Sequence, residues 1–111
     1  MKKYLFIVMF SCFFVNAPIN AAIYKGQKVF TKVCIKCHDS GQSYVAKKTI
    51  YQWKKLMRKK GKPLKEIHLK DKKAKRAWKY FASSSYTKKT RHLKDFLVEY
   101  AKDSGNVPAC N

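Results

Sequence analysis

The stretch Gly26-Gln27-Lys28-Val29-Phe30-Thr31-Lys32-Val33-Cys34-Ile35-Lys36-Cys37-His38 decides how this 111-residue chain is read. Its first part has helical spacing: Ile23, Gln27 or Val29, Phe30 and Val33 fall close together on a helix expected over about 23–33. Gly26 on that helix costs about 1 kcal/mol relative to Ala, which is better explained by the close approach of another helix than by chance. The end of the stretch sets two thiols three residues apart and follows the second directly with an imidazole.

Downstream the same 3.6-residue period dominates and strand alternation is scarce. A second helix is predicted over about 49–60. Thr49 and Gln52 form a capping box, Ile50, Trp53, Leu56 and Met57 form an apolar stripe, and Gly61 then Pro63 supply a stop. A short turn at 63–69 carries Leu64, Ile67 and His68. Asp71 is expected to cap a third helix to about Phe81, burying Ala74, Ala77, Trp78 and Phe81. A last helix is predicted over about 90–103, with Leu93, Phe96, Leu97 and Tyr100 along one side. Residues 39–48 show no period and read as loop, and the Ser83-Ser84-Ser85 run reads as another. The expected fold is all-α, with four to five helices.

Upstream, Lys2 and Lys3 precede an apolar run from Tyr4 to Val15, which Asn16, Pro18 and Asn20 break before Ala21-Ala22. This is the layout of a cleaved secretory signal peptide over 1–22, leaving one domain over 23–111. The apolar run is short for a transmembrane helix, which needs about 20 residues. Export places the protein in the periplasm, an oxidising compartment. A domain of about 89 residues there commonly needs a disulfide, a metal or a cofactor as a staple.

The charge is extreme: 26 Lys and Arg against 6 Asp and Glu, a formal +20. Removing residues 1–22 takes away Lys2 and Lys3 and no acid, leaving +18. Such a balance implies an anionic partner. Export argues against nucleic acid and leaves an acidic partner protein or an anionic membrane surface. Any single cluster, such as Lys72-Lys73-Lys75-Arg76, also reads simply as a solvated helix face.

Cys34-Ile35-Lys36-Cys37-His38 is C-x-x-C-H, the spacing of covalent haem c attachment. Two thiols on one helical turn can each form a thioether to a haem vinyl group. The following imidazole, His38, is then held under the iron as the proximal axial ligand. Three other readings exist. A thioredoxin-like pair needs a βαβ pattern, which is missing. A zinc site needs a second close pair of Cys or His, which is also missing. A plain disulfide leaves His38 without a role. With Cys34 and Cys37 assigned to haem, Cys110 is an odd thiol.

Gly26, Phe30 and Cys34 form a G-x-x-x-F-x-x-x-C approach to that motif. In this the chain resembles small class I cytochromes c of the bacterial periplasm. The stretch His92–Cys110, HLKDFLVEYAKDSGNVPAC, resembles short cytochromes of epsilon-type proteobacteria. The resemblance covers the first and last quarters of the exported part. It implies helices packed around one covalent haem per chain. It also implies that Leu97 and Tyr100 of the last helix cross the first helix near Gly26. The departure is at the sixth iron ligand. The family offers a Met shortly before its last helix, where this chain has Ser83-Ser84-Ser85-Tyr86. The candidates here are His68, then His92, then Met57. An imidazole in that position would lower the potential relative to a thioether.

The expected function is therefore single-electron transfer between redox partners, without enzymatic activity. A second hypothesis is a haem protein whose open or weak sixth site binds small gaseous ligands, as a sensor or minor enzyme. A third is a basic exported binding module with a zinc or disulfide C-x-x-C.

Overall fold

The computed structural model describes residues 19–38 and 41–107. Residues 1–18, on which much of the signal-peptide reading rests, and Cys110, the odd thiol, lie outside them. Among the described residues the fold is all-α, with no strand. Helix α1 (Ile19–Val33) runs into a 3-10 turn, Cys34–Lys36, and is followed by α2 (Gly41–Val45), α3 (Ile50–Lys70), a 3-10 stretch Lys72–Ala77, α4 (Trp78–Phe81) and α5 (Ser84–Glu99). No helix among the described residues is long and apolar enough to cross a membrane.

The crossing of α1 and α5 organises the core. Gly26 is buried there, and a Cβ added to it would meet the His92 carbonyl and lie 2.7 Å from Phe96 Cβ. A close helix approach is thus what the glycine permits. One turn on, Phe30 is 1 % exposed, with its ring 5.4 Å from that of Phe96. The atoms nearest that added Cβ belong to His92 and Phe96 of α5. Helix α5 ends at Glu99, so Tyr100 is already its C-terminal cap and packs on Phe96 at 5.3 Å.

Four local expectations shift, each for a visible reason. Among the described residues, helix α1 takes in Ile19–Ala22 ahead of the expected start near Ile23. Part of the expected loop 39–48 is the short helix α2. Helix α5 begins six residues before the expected Thr90. Ser83, read as loop, is its N-cap and accepts a hydrogen bond from the Tyr86 amide at 3.3 Å. The segment after Asp71 is 3-10 as far as Ala77, with Asp71 Oδ1 accepting from the Lys73 amide at 2.9 Å. Of its expected core residues Phe81 is buried, while Ala74, Ala77 and Trp78 are half-buried.

Helix α3 carries the largest difference. Its start is as expected: Thr49 accepts from the Gln52 amide and Gln52 Oε1 accepts from the Thr49 amide at 2.9 Å. A further orphan donor, Ile50 N–H, is taken by Asp103 Oδ1 at 2.8 Å, which ties the tail after α5 back onto α3. The expected stop is also present. Arg58 is extended, and Lys59, Lys60 and Gly61 are left-handed at φ 49°, 56° and 73°. The helix then resumes. Pro63 lies in the first turn of this second half, where its missing N–H costs little, and the expected turn 63–69 is helix to Lys70.

Left-handed backbone costs a non-glycine residue about 1–2 kcal/mol, so the break must be held. Tyr86 holds it. Its hydroxyl donates to the Gly61 carbonyl at 2.6 Å, in a buried contact with no room for a side chain at residue 61. Tyr86→Phe leaves that carbonyl unpaired at a cost of about 1–3 kcal/mol. The expected fall in melting temperature is about 4–8 °C per kcal/mol, read by thermal unfolding.

Candidate functional site

The break in α3 turns its second half back toward the Cys34–His38 turn, and a cavity of about 420 Å³ lies between them. Its walls are mostly apolar: Phe30 and Val33 from α1, Trp53, Leu56, Leu64 and Ile67 from α3, Phe81 from α4, and Leu93 and Leu97 from α5. Cys34, Cys37, His38, Tyr44 and His68 also line it, with the charged Lys48, Asp71 and Lys73. The size and apolar character suit a cofactor-sized ligand.

The motif residues are placed by a tight turn. The Cys37 and His38 amides both donate to the Cys34 carbonyl, at 3.2 and 2.9 Å. Cys34 and Cys37 are both free thiols, the first half-buried and the second exposed. Burial, with a smaller contribution from Cys37, pushes the Cys34 thiol up to about 12. Thiol-exchange enzymes need the opposite in their attacking thiol, one that ionises readily, so Cys34 is poorly set for that role.

His68 faces the motif from α3. Its ring centre is 6.1 Å from that of His38, with the two planes at 85°. The His68 Nδ1 lies 2.7 Å from the Leu64 carbonyl. A carbonyl only accepts, so Nδ1 carries the proton, and in the neutral form of the ring the lone pair is on Nε2. A ring nitrogen binds a transition metal at about 2.0–2.1 Å and sits roughly 1.1 Å from the ring centre, so two imidazoles sharing one ion stand about 6.3 Å apart. The observed separation fits such sharing. Among the described residues no three His, Cys, Asp or Glu side chains gather as a metal-ion site.

No protein-family model, no curated protein and no solved structure matches the chain.

Of the residues singled out in the sequence, Cys34, Cys37, His38 and His68 meet at the cavity. His92 and Met57 are not on its walls. His92 stands mid-helix at the α1–α5 crossing, with Nδ1 buried and lacking a hydrogen-bond partner among the described residues. Met57 is a core residue, 3 % exposed. Two aromatic residues complete the site. The Tyr44 ring stacks on His38 at 4.1 Å and 25°, and the Phe81 ring stacks on His68 at 4.3 Å and 23°. Tyr44 was hidden in the stretch read as loop, and Phe81 was legible only as a core residue.

The surface around the site is basic. Lys48 and Lys73 reach the cavity lining, and Lys72, Lys73, Lys75 and Arg76 are exposed. A smaller cleft of about 160 Å³ brings Lys32, Lys36 and Arg76 beside Cys37 and Tyr80. Among the described residues one ion pair forms, Lys62 with Glu66 at 3.9 Å, so the surface remains strongly positive.

Proposed function

We propose that this chain is an exported monohaem c-type cytochrome, built like a class I cytochrome c, that carries single electrons between redox partners in the periplasm. The observation that carries the reading is the pair His38 and His68, whose ring centres lie 6.1 Å apart on the wall of a largely apolar cavity that also holds both motif cysteines. Cys34 and Cys37 would hold the haem through thioethers, His38 would be its proximal ligand and His68 its sixth. When bound, the haem supplies a one-electron ferric/ferrous couple.

The rest follows from the chain's own residues. The hydrogen bond from Nδ1–H to the Leu64 carbonyl would leave Nε2 of the neutral His68 ring as the nitrogen that binds the iron. Apolar walls from α1, α3 and α5 exclude water, so little solvent reorganises as charge changes. The unneutralised lysines attract an acidic partner protein and keep the encounter weak and salt-sensitive. The same charge would draw the protein to an anionic membrane surface. Nucleic acid is not among the proposed partners.

His68→Ala is expected to convert a six-coordinate low-spin protein into one that binds carbon monoxide in its ferrous form. His92→Ala and Met57→Ala are expected to leave the optical spectrum unchanged. The measurement is carbon monoxide titration of the reduced holoprotein. Wild-type protein that binds the gas as readily as His68→Ala would sink the carrier reading in favour of a gas-binding haem protein.

A further inference from the structure

We infer that Tyr44 and Phe81 are positioning residues that hold the two axial imidazoles nearly perpendicular, an inference that rests on the haem reading above. Each ring has its own aromatic bracket. His38 lies on Tyr44, whose ring is in turn set by Phe30 at 6.3 Å and Trp53 at 6.2 Å. His68 lies on Phe81, which is set by Tyr80 at 5.3 Å and Tyr86 at 4.9 Å. His68 is also tied to the Leu64 carbonyl, so its rotation is restricted twice. The two brackets belong to different parts of the chain: Tyr44 is in α2 and Phe81 in α4.

The lone pair of an imidazole lies in its ring plane. A ring that binds a metal therefore contains the line to that metal, so if both rings bind one iron with their planes kept as they stand, the 85° between the planes would be the twist about the His38–His68 axis. Nothing in two free imidazoles demands this angle. Here each ring follows the face of its aromatic neighbour to within 25°. The twist is thus set by packing from two independent elements. An imidazole acts as a π donor perpendicular to its own plane. Parallel rings raise one iron dπ orbital and leave the other, while perpendicular rings raise both equally. The near-degeneracy leaves orbital angular momentum unquenched in the ferric state.

The consequence is spectroscopic. Ferric wild-type holoprotein is expected to give a single strongly anisotropic low-spin electron paramagnetic resonance signal at low field, in place of the resolved three-line rhombic signal of near-parallel rings. Tyr44→Leu and Phe81→Leu each remove one bracket and are expected to shift the signal toward the rhombic form while the optical spectrum stays six-coordinate low-spin. Tyr44→Phe keeps the ring and is expected to keep the anisotropic signal. A change of stability alone would not move the signal between these forms.

Phe81 is 3 % exposed, so its truncation costs stability, and the wild-type spectrum is the decisive arm if that variant fails to fold. A rhombic wild-type signal overturns the perpendicular pair and leaves haem ligation by two histidines standing. An anisotropic signal unchanged in Tyr44→Leu and Phe81→Leu overturns the bracket role. Protein that carries no haem, or only five-coordinate haem, overturns both this inference and the reading beneath it. The optical spectrum separates that case from the other two.

Discussion

His38→Ala, produced in a host that attaches haem c, accumulates no low-spin holoprotein; a loss of at least tenfold relative to wild type is expected. His38 follows Cys37 directly, and its amide and that of Cys37 close on the Cys34 carbonyl. The three side chains thus belong to one rigid turn at the mouth of the cavity, where no other imidazole can take the place of His38. His68 is on the opposite wall and His92 is off the wall altogether. Cys34→Ala is expected to fail to the same degree, because the half-buried Cys34 anchors the inner end of the turn. The check is the haem content of purified protein by pyridine haemochrome, with His92→Ala as the control that retains haem. A His38→Ala protein with a normal low-spin spectrum would remove the proximal assignment.

The second large effect is on stability. Gly26→Ala is expected to lower the melting temperature by about 8–16 °C, the equivalent of about 2 kcal/mol at 4–8 °C per kcal/mol. Helix propensity alone predicts the opposite sign, a gain of about 1 kcal/mol. The decisive term is steric. The added Cβ meets the His92 backbone carbonyl and Phe96 Cβ, neither of which is the far end of a flexible side chain. The helices must separate, and overpacking of this kind costs about 1–3 kcal/mol and sometimes more. Separation also pulls Phe30 from Phe96, and Phe30 is part of the cavity wall. Gly105→Ala is the control. Gly105 has φ 76° but open space around it, so only the backbone term of about 1 kcal/mol is expected. Thermal unfolding of both variants decides. A Gly26→Ala protein as stable as wild type would mean that α1 and α5 do not approach as described.

What could be read in the sequence was local. The Thr49–Gln52 box, the glycine at the helix crossing, the stop at Gly61 and the C-x-x-C-H turn each depend on residues within a few positions of one another, and each lies where the spacing puts it. What could not be read depends on distant contacts. The helix resumes after Gly61 because Tyr86, twenty-five residues away, holds the left-handed break. That resumption carries His68 to the cavity, and the Trp78 indole N–H fixes its end by donating to the His68 carbonyl at 2.8 Å. The stacking of Tyr44 on His38 joins a residue without periodic context to the motif, so no pattern announced it. Ser83 looked like loop because an N-cap and a loop favour the same residue types.

Covalent attachment of haem at the Cys34–His38 turn underlies every proposed role of this chain. The most direct measurement is the haem content of full-length protein matured in a haem-attaching host and then denatured. The pyridine haemochrome should report one haem per chain joined by two thioethers, with the intact mass raised by one haem group. A chain that emerges without haem, with Cys34 and Cys37 joined as a disulfide or holding zinc, would contradict the account.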